Sequence, residues 1–154
     1  MPKVTETKKT FSKILVTMHK SSTSNDTAID YAIKIAQDYD AQLVILNVIR
    51  ADANMHNVNL PNHVISMKEE AQAHFIKIME KIHENIDRGN ILRIKTEIVA
   101  SVRVADAIIS YAKDKDIDLI IIGTRDRSKL KSVLVGNVES NVVRSAHCPV
   151  LTVK

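Results

Sequence analysis

KILVTMHKSSTSNDTAIDYAIKIAQDYDAQLVILNVI, Lys13 to Ile49, decides the fold. Lys13-Ile14-Leu15-Val16-Thr17-Met18 is a short apolar run whose length and β-branching predict a buried strand. The polar segment Ser21 to Asp26 follows, rich in side chains that cap helix N-termini. Ala28, Ile29, Ala32, Ile33, Ile35 and Ala36 then recur at helical spacing, with Asp30, Lys34 and Gln37 between them. Ala41 to Ile49 is a second continuous apolar run, again the length of a strand. Strands apolar on both faces belong to a parallel sheet covered by helices.

The same alternation continues outward. Residues 50–60 form a polar loop, and a long helix is predicted from near Pro61 or Asn62, with Val64, Met67, Ala71, Phe75, Ile78, Met79, Ile82 and Ile86 on one stripe. Arg88-Gly89-Asn90 favours a left-handed C-cap after it. Ile91 to Val99 carries Arg93, Lys95 and Glu97, which predicts an exposed edge strand. Val104, Ala105, Ile108, Ile109 and Ala112 outline a third helix, and Ile117 to Ile122 a fourth, central strand. Val138, Val142 and Val143 suggest a fourth helix, and Pro149 to Val153 a fifth strand with proline at its first position. Strict alternation predicts an α/β fold: a single doubly wound domain, a five-stranded parallel sheet with helices on both faces and right-handed crossovers. We expect residues 1–11 to be a flexible tail and residues 12–154 to be the domain.

Composition narrows the function. The chain has 154 residues, 45% of them hydrophobic, no Trp and a formal charge of +4. From Gly123 onward, Arg125, Arg127, Lys129, Lys131, Arg144 and Lys154 face only Asp126 and Glu139. A local basic cluster of this kind suits an anionic ligand, or simply a solvated face. Three Tyr and two Phe, with no basic stretch interleaved with aromatics, argue against a nucleic-acid surface. Cys148 is the single cysteine, which excludes an intramolecular disulfide and fits a reducing cytoplasm. The polar start MPKVTETKKTF predicts no signal peptide, and no run approaches the ~18–20 apolar residues of a membrane span. We therefore expect a soluble cytoplasmic protein with neither a nucleic-acid nor a membrane partner.

In doubly wound sheets, ligands bind beyond the carboxyl ends of the strands, where the winding reverses. The first strand is followed by His19-Lys20-Ser21 and the fourth by Gly123-Thr124-Arg125, so if these strands are neighbours their loops share one crevice. The second loop, GTRDRSKLKSVLVGN (123–137), holds two glycines and four basic side chains between them. A helix N-terminus behind such a loop is a ready anion site.

Three segments resemble the universal stress protein family, across Ser12 to Lys154: KILVTMHKS with the helix AIDYAIKIA, DLIIIGTR (118–125) and CPVLTVK (148–154). The resemblance implies a Rossmann-like fold of the adenine nucleotide alpha hydrolase-like kind. It also implies an adenine nucleotide (ATP, ADP or AMP) held between the loops at Met18–Ser21 and Gly123–Asn137. In the family's nucleotide-binding branch the glycine loop reads Gly, two residues, Gly, nine residues, Gly, then Ser or Thr. Here those positions are Gly123, Asp126, Gly136 and Asn137, so the spacing is kept and two residues differ. Gly123 and Gly136 inherit the expectation of backbone amides near phosphates. Thr124, Arg125 and Val138 fall within the same expected site. Asp126 tolerates the left-handed backbone but repels a phosphate 4–6 Å away by ~0.7–1 kcal/mol at water's dielectric. A magnesium ion bridging the two would reverse that sign. Asn137 keeps a donor and a good N-cap.

The first loop departs too. His19 stands where the family usually has Asp, Lys20 where Gly is common, and Thr17 where proline is frequent. His19 and Lys20 either contact phosphate in a rebuilt pocket or face solvent. Val48 matches a position whose backbone contacts adenine, and suits an ordinary core valine equally well. The family is commonly dimeric through its last strand, which here places the homodimer edge at Val150, Leu151, Thr152 and Val153. The alternative is a dimeric scaffold or chaperone-like module that takes no nucleotide.

Catalytic patterns are missing. His74 and His83 are nine apart on one predicted helix, not the i,i+4 spacing of a metal pair, and no HExxH or GxxxxGK[ST] occurs. No Ser–His–Asp set can be placed from spacing, and Cys148 before Pro149 suits a small buried residue better than a nucleophile. We expect no catalytic residues and no metal ligands, with any ATP hydrolysis slow and incidental.

Overall fold

The computed structural model describes residues 10–18, 23–51, 60–86, 92–124 and 138–154. Within them the chain runs β1 (Lys13–Met18), α1 (Thr23–Tyr39), β2 (Gln42–Arg50), α2 (Leu60–Asn85), β3 (Ile94–Ser101), α3 (Val104–Asp114), β4 (Leu119–Gly123), α4 (Val138–Ser145) and β5 (Val150–Val153). The five strands form one sheet in the order β3-β2-β1-β4-β5, and every pairing is parallel. Winding goes outward from β1 through β2 to β3, then returns to the other side of β1 for β4 and β5. The predicted α/β class and strand count hold, and the reversal falls between β1 and β4.

Alternation along each strand sends side chains into two separate apolar layers. Ile14, Val16 and Met18 of β1 join Leu43 and Ile45 of β2, Ile121 of β4 and Val153 of β5 under Ala28, Ile29, Ala32 and Ala36 of α1 and Phe75, Ile78 and Ile82 of α2. Leu15, Val44, Leu46, Ile120 and Ile122 point the other way, under Ala105, Ile108 and Ala112 of α3 and Val142 of α4. These central strands are apolar on both faces because both faces are covered, which is why their sequences read as unbroken runs.

Local chemistry sets the joints. Asp40 and Asp116 both have positive φ, 50° and 53°. Each is the left-handed residue of a Schellman turn: Ala41 N–H donates to the Ala36 carbonyl at 2.8 Å and Asp40 N–H to that of Gln37 at 3.3 Å. Ile117 N–H to Ala112 O (2.8 Å) and Asp116 N–H to Lys113 O (3.3 Å) repeat the pattern after α3. Both turns deliver a buried apolar residue, Ala41 or Ile117, to the foot of the next strand. At that same end the Asp118 carboxylate accepts the Ser12 and Lys13 N–H groups at 2.8 and 3.0 Å, which pins β1 beside β4. The Pro149 carbonyl accepts the Ile120 N–H at 3.0 Å, so proline ahead of β5 supplies a ladder acceptor and forfeits nothing.

Four expectations need correcting. β4 spans Leu119–Gly123 rather than Ile117 to Ile122, because Ile117 closes the turn after α3. β3 begins at Ile94, where its register with Leu43 of β2 starts, and extends to Ser101 opposite Arg50. Met79 and Val143, placed on the buried stripes by sequence, are 38% and 53% exposed. Each follows a buried residue, Ile78 or Val142, and the 100° step per residue turns it away from the sheet. β3 is an edge strand, as its charges predict. The proposed cap at Arg88-Gly89-Asn90 and residues 1–9 of the predicted tail lie outside the described residues. No helix among the described residues is long and apolar enough to cross a membrane.

Candidate functional site

Because β1 and β4 are hydrogen-bonded neighbours, with Thr17 opposite Ile122, their carboxyl ends lie side by side, where a doubly wound sheet places its ligand crevice. Of the residues predicted to line it, Thr17, Met18, Val48, Gly123, Thr124 and Val138 are described, and His19, Lys20, Arg125, Asp126, Gly136 and Asn137 lie outside the described residues. Gly123 ends β4 opposite Val153, and the Thr124 N–H donates to the Val153 carbonyl at 2.7 Å. The Met18 side chain packs into the α1/α2 layer, so only its backbone borders the crevice. Val48 and Val138 are half-buried against the α3/α4 layer.

Thr17 follows Leu15 by two positions and so shares the α3/α4 face, in register between Leu46 of β2 and Ile122 of β4. It is 1% exposed, and its hydroxyl has no hydrogen-bond partner among the described residues. The second buried polar residue among those described is Glu139, 7% exposed, in the first turn of α4. Its sequence neighbours hid it: Glu139 stands three residues before Val142 and seven before Ala146, on the stripe that packs against the sheet. That spacing was the available signal. A carboxylate in the first turn is favoured by the helix dipole, and it lowers the positive potential there. Both buried polar groups therefore belong to one layer, on the face away from α1 and α2.

The same layer holds a second orphan, the Tyr111 hydroxyl, at the sheet edge. Burial pushes its pKa above the ordinary phenol range, and the nearby Glu97 charge adds to the effect while Lys95 opposes it. Lys95 and Glu97 pair at 2.9 Å, and Glu97 holds the Lys95 ammonium pKa up, chiefly through that hydrogen bond. Cys148 is half-buried, and burial followed by the Asp118 charge raises its thiol pKa, which keeps it protonated and a poor nucleophile. Among the described residues no group of His, Cys, Asp or Glu is arranged to hold a metal ion.

On the opposite face, α1 and α2 leave a groove of about 350 Å³ floored by Ile29, Ile33, Ile78 and Ile82 and crossed by an Asp30–Lys81 ion pair at 3.6 Å. All its polar groups sit on the rim, where water serves them.

Comparison with known proteins agrees with this architecture. A universal stress protein of Methanocaldococcus jannaschii is 32% identical over 150 residues, covering 94% of this chain and 82% of the relative. The solved structure of the universal stress protein UspA from Lactobacillus plantarum superposes with a TM-score of 0.73 at 29% identity, covering 94% of this chain and 98% of the other. More distant structures share the fold. A universal stress protein in complex with cAMP has a TM-score of 0.59 at 22% identity and covers 92% and 95% of the two chains. One from Archaeoglobus fulgidus in complex with dAMP has a TM-score of 0.65 at 18% identity and covers 94% and 98%. The model of the universal stress protein family matches residues 10–154, from the foot of β1 through β5. With that match, the three resembling segments and the β3-β2-β1-β4-β5 sheet all in agreement, the chain belongs to the universal stress protein family.

Proposed function

We propose that this protein binds an adenine nucleotide in the crevice after β1 and β4 and acts as a regulatory stress-response protein. The observation that carries the proposal is the pairing of β1 with β4 at the point where strand order reverses. It brings the ends Thr17–Met18 and Gly123–Thr124 together, with α4 beginning at Val138, and the sequence between them keeps the outer glycines Gly123 and Gly136. The fold relatives in complex with cAMP and dAMP support an adenine ligand. The buried Thr17 hydroxyl, one residue from the end of β1 and without a hydrogen-bond partner among the described residues, would suit a ligand that brings its own polar edge. Thr17, Met18, His19, Lys20 and Val48 form one side of the proposed site, and Gly123 to Val138 the other. Magnesium is the proposed companion of a polyphosphate, because Asp126 would otherwise repel it. The protein's role is binding and association rather than catalysis.

Calorimetric titration and thermal shift with ATP, ADP and AMP, with and without magnesium, test the reading. A saturable shift supports it, and silence towards every nucleotide at millimolar concentration ends it. Asp126 and Asn137 favour a second reading, a dimeric scaffold without nucleotide, which the silent outcome would support. Both readings share a homodimer through the outer edge of β5, where Leu151 is half-buried and one side of the strand has no partner among the described residues. Leu151→Lys should shift sedimentation toward monomer, and an unchanged dimer places the interface elsewhere.

A further inference from the structure

The positions nearest Thr17 on its face of the sheet are hydrocarbon: Leu15 two residues back, Leu46 in register on β2 and Ile122 in register on β4. A valine there would have the same shape and no unpaired polar atom. An unsatisfied buried hydroxyl is destabilising, so its presence in this layer calls for a partner. The Tyr111 hydroxyl lies against the Lys95–Glu97 pair, whose side chains are 48% and 30% exposed, so a small rotation or a water can serve it. The residues in register with Thr17, Leu46 and Ile122, offer it no polar side chain. Its strand ends one residue later, beside the carboxyl end of β4.

We infer that the Thr17 hydroxyl reads the base edge of the bound nucleotide, donating to or accepting from a polar atom of the purine. The inference rests on the nucleotide reading above. A phosphate in this hydrocarbon setting would lose its solvation with one hydroxyl in return. A flat heterocycle buries favourably against Leu46, Ile122 and the half-buried Val48, and needs only a partner for its polar edge.

The test uses the full chain and its Thr17→Val and Thr17→Ser variants, titrated calorimetrically with AMP and with adenosine, alongside melting of the free proteins. Thr17→Val should raise the melting temperature of the free protein by about 2–4 °C, since the orphan is removed. It should also weaken AMP and adenosine by the same factor, about 3- to 10-fold, while Thr17→Ser retains wild-type affinity for both. Three results overturn the inference alone: a lowered melting temperature for Thr17→Val, which means that the protein itself uses the hydroxyl; unchanged affinities; or a loss confined to AMP, which assigns the hydroxyl to the phosphate. A wild-type chain that binds neither AMP nor adenosine overturns the nucleotide reading and this inference together.

Discussion

The two layers flanking the sheet are built from the same strands and differ in one respect. Among the described residues, the layer under α1 and α2 buries only apolar side chains, with Ile14, Val16, Leu43, Ile45 and Ile121 all inaccessible or nearly so. The layer under α3 and α4 is equally aliphatic at its centre but takes in Thr17, Glu139 and the Tyr111 hydroxyl. Buried polar groups oppose stability unless something pairs with them, so a fold that confines them to one face keeps the other as scaffold. The groove between α1 and α2 agrees with that division, because its polar groups stay on a wet rim.

Substitutions on the two faces should therefore behave differently. The largest effect belongs to the scaffold: Ile45→Ala, at a fully buried position, should cost about 2–5 kcal/mol in denaturant unfolding and leave nucleotide affinity unchanged in the folded fraction. An affinity that falls in step with stability would erase the distinction between the layers. Next comes Tyr111→Phe, which removes an orphan hydroxyl and should be neutral or stabilising by up to ~1 kcal/mol. The folded pKa of Tyr111 lies above its ordinary value of 10.0, so its contribution is complete below pH 10.0 and fades as pH rises through the raised value. Lys95, also raised, fades in the same direction above 10.5. Stability should accordingly fall in strongly alkaline solution, and less steeply in Tyr111→Phe; identical alkaline profiles would remove Tyr111 from the account. An effect of similar small size is expected at a joint, the turn after α3. Asp116→Gly, at φ 53°, should raise stability by about 0.5–1 kcal/mol, since glycine has no Cβ to strain in the left-handed region. A destabilised variant would mean that the Asp116 side chain contributes more than its backbone strain removes.

The fold was legible because its determinants are local and redundant. Unbroken aliphatic runs mark β1, β2 and β4, helical stripes separate them, and the edge strand β3 shows its charges. Strand adjacency was conditional in the sequence and became definite with the register of Thr17 against Ile122. The site was legible only in outline. Gly123 ends β4 with Thr124 just beyond it, yet the burial of Glu139 was hidden, since a carboxylate on an apolar stripe reads as surface until the stripe is positioned. Nor does a lone threonine within an apolar run reveal whether its hydroxyl has a partner. Val143 shows the opposite error, an apolar side chain in a short helix that counts as core by type and faces outward by angle.

The most direct measurement maps the ligand onto one layer or the other: amide chemical shifts of the isotopically labelled chain during titration with AMP. The account predicts saturable shifts at Thr17, Val48, Gly123, Thr124 and Val138, near the carboxyl ends of β1, β2 and β4 and at the start of α4, with Ile29, Ile33, Ile78 and Ile82 unmoved. Shifts concentrated instead along the α1–α2 groove, or none at any residue up to millimolar AMP, would contradict it.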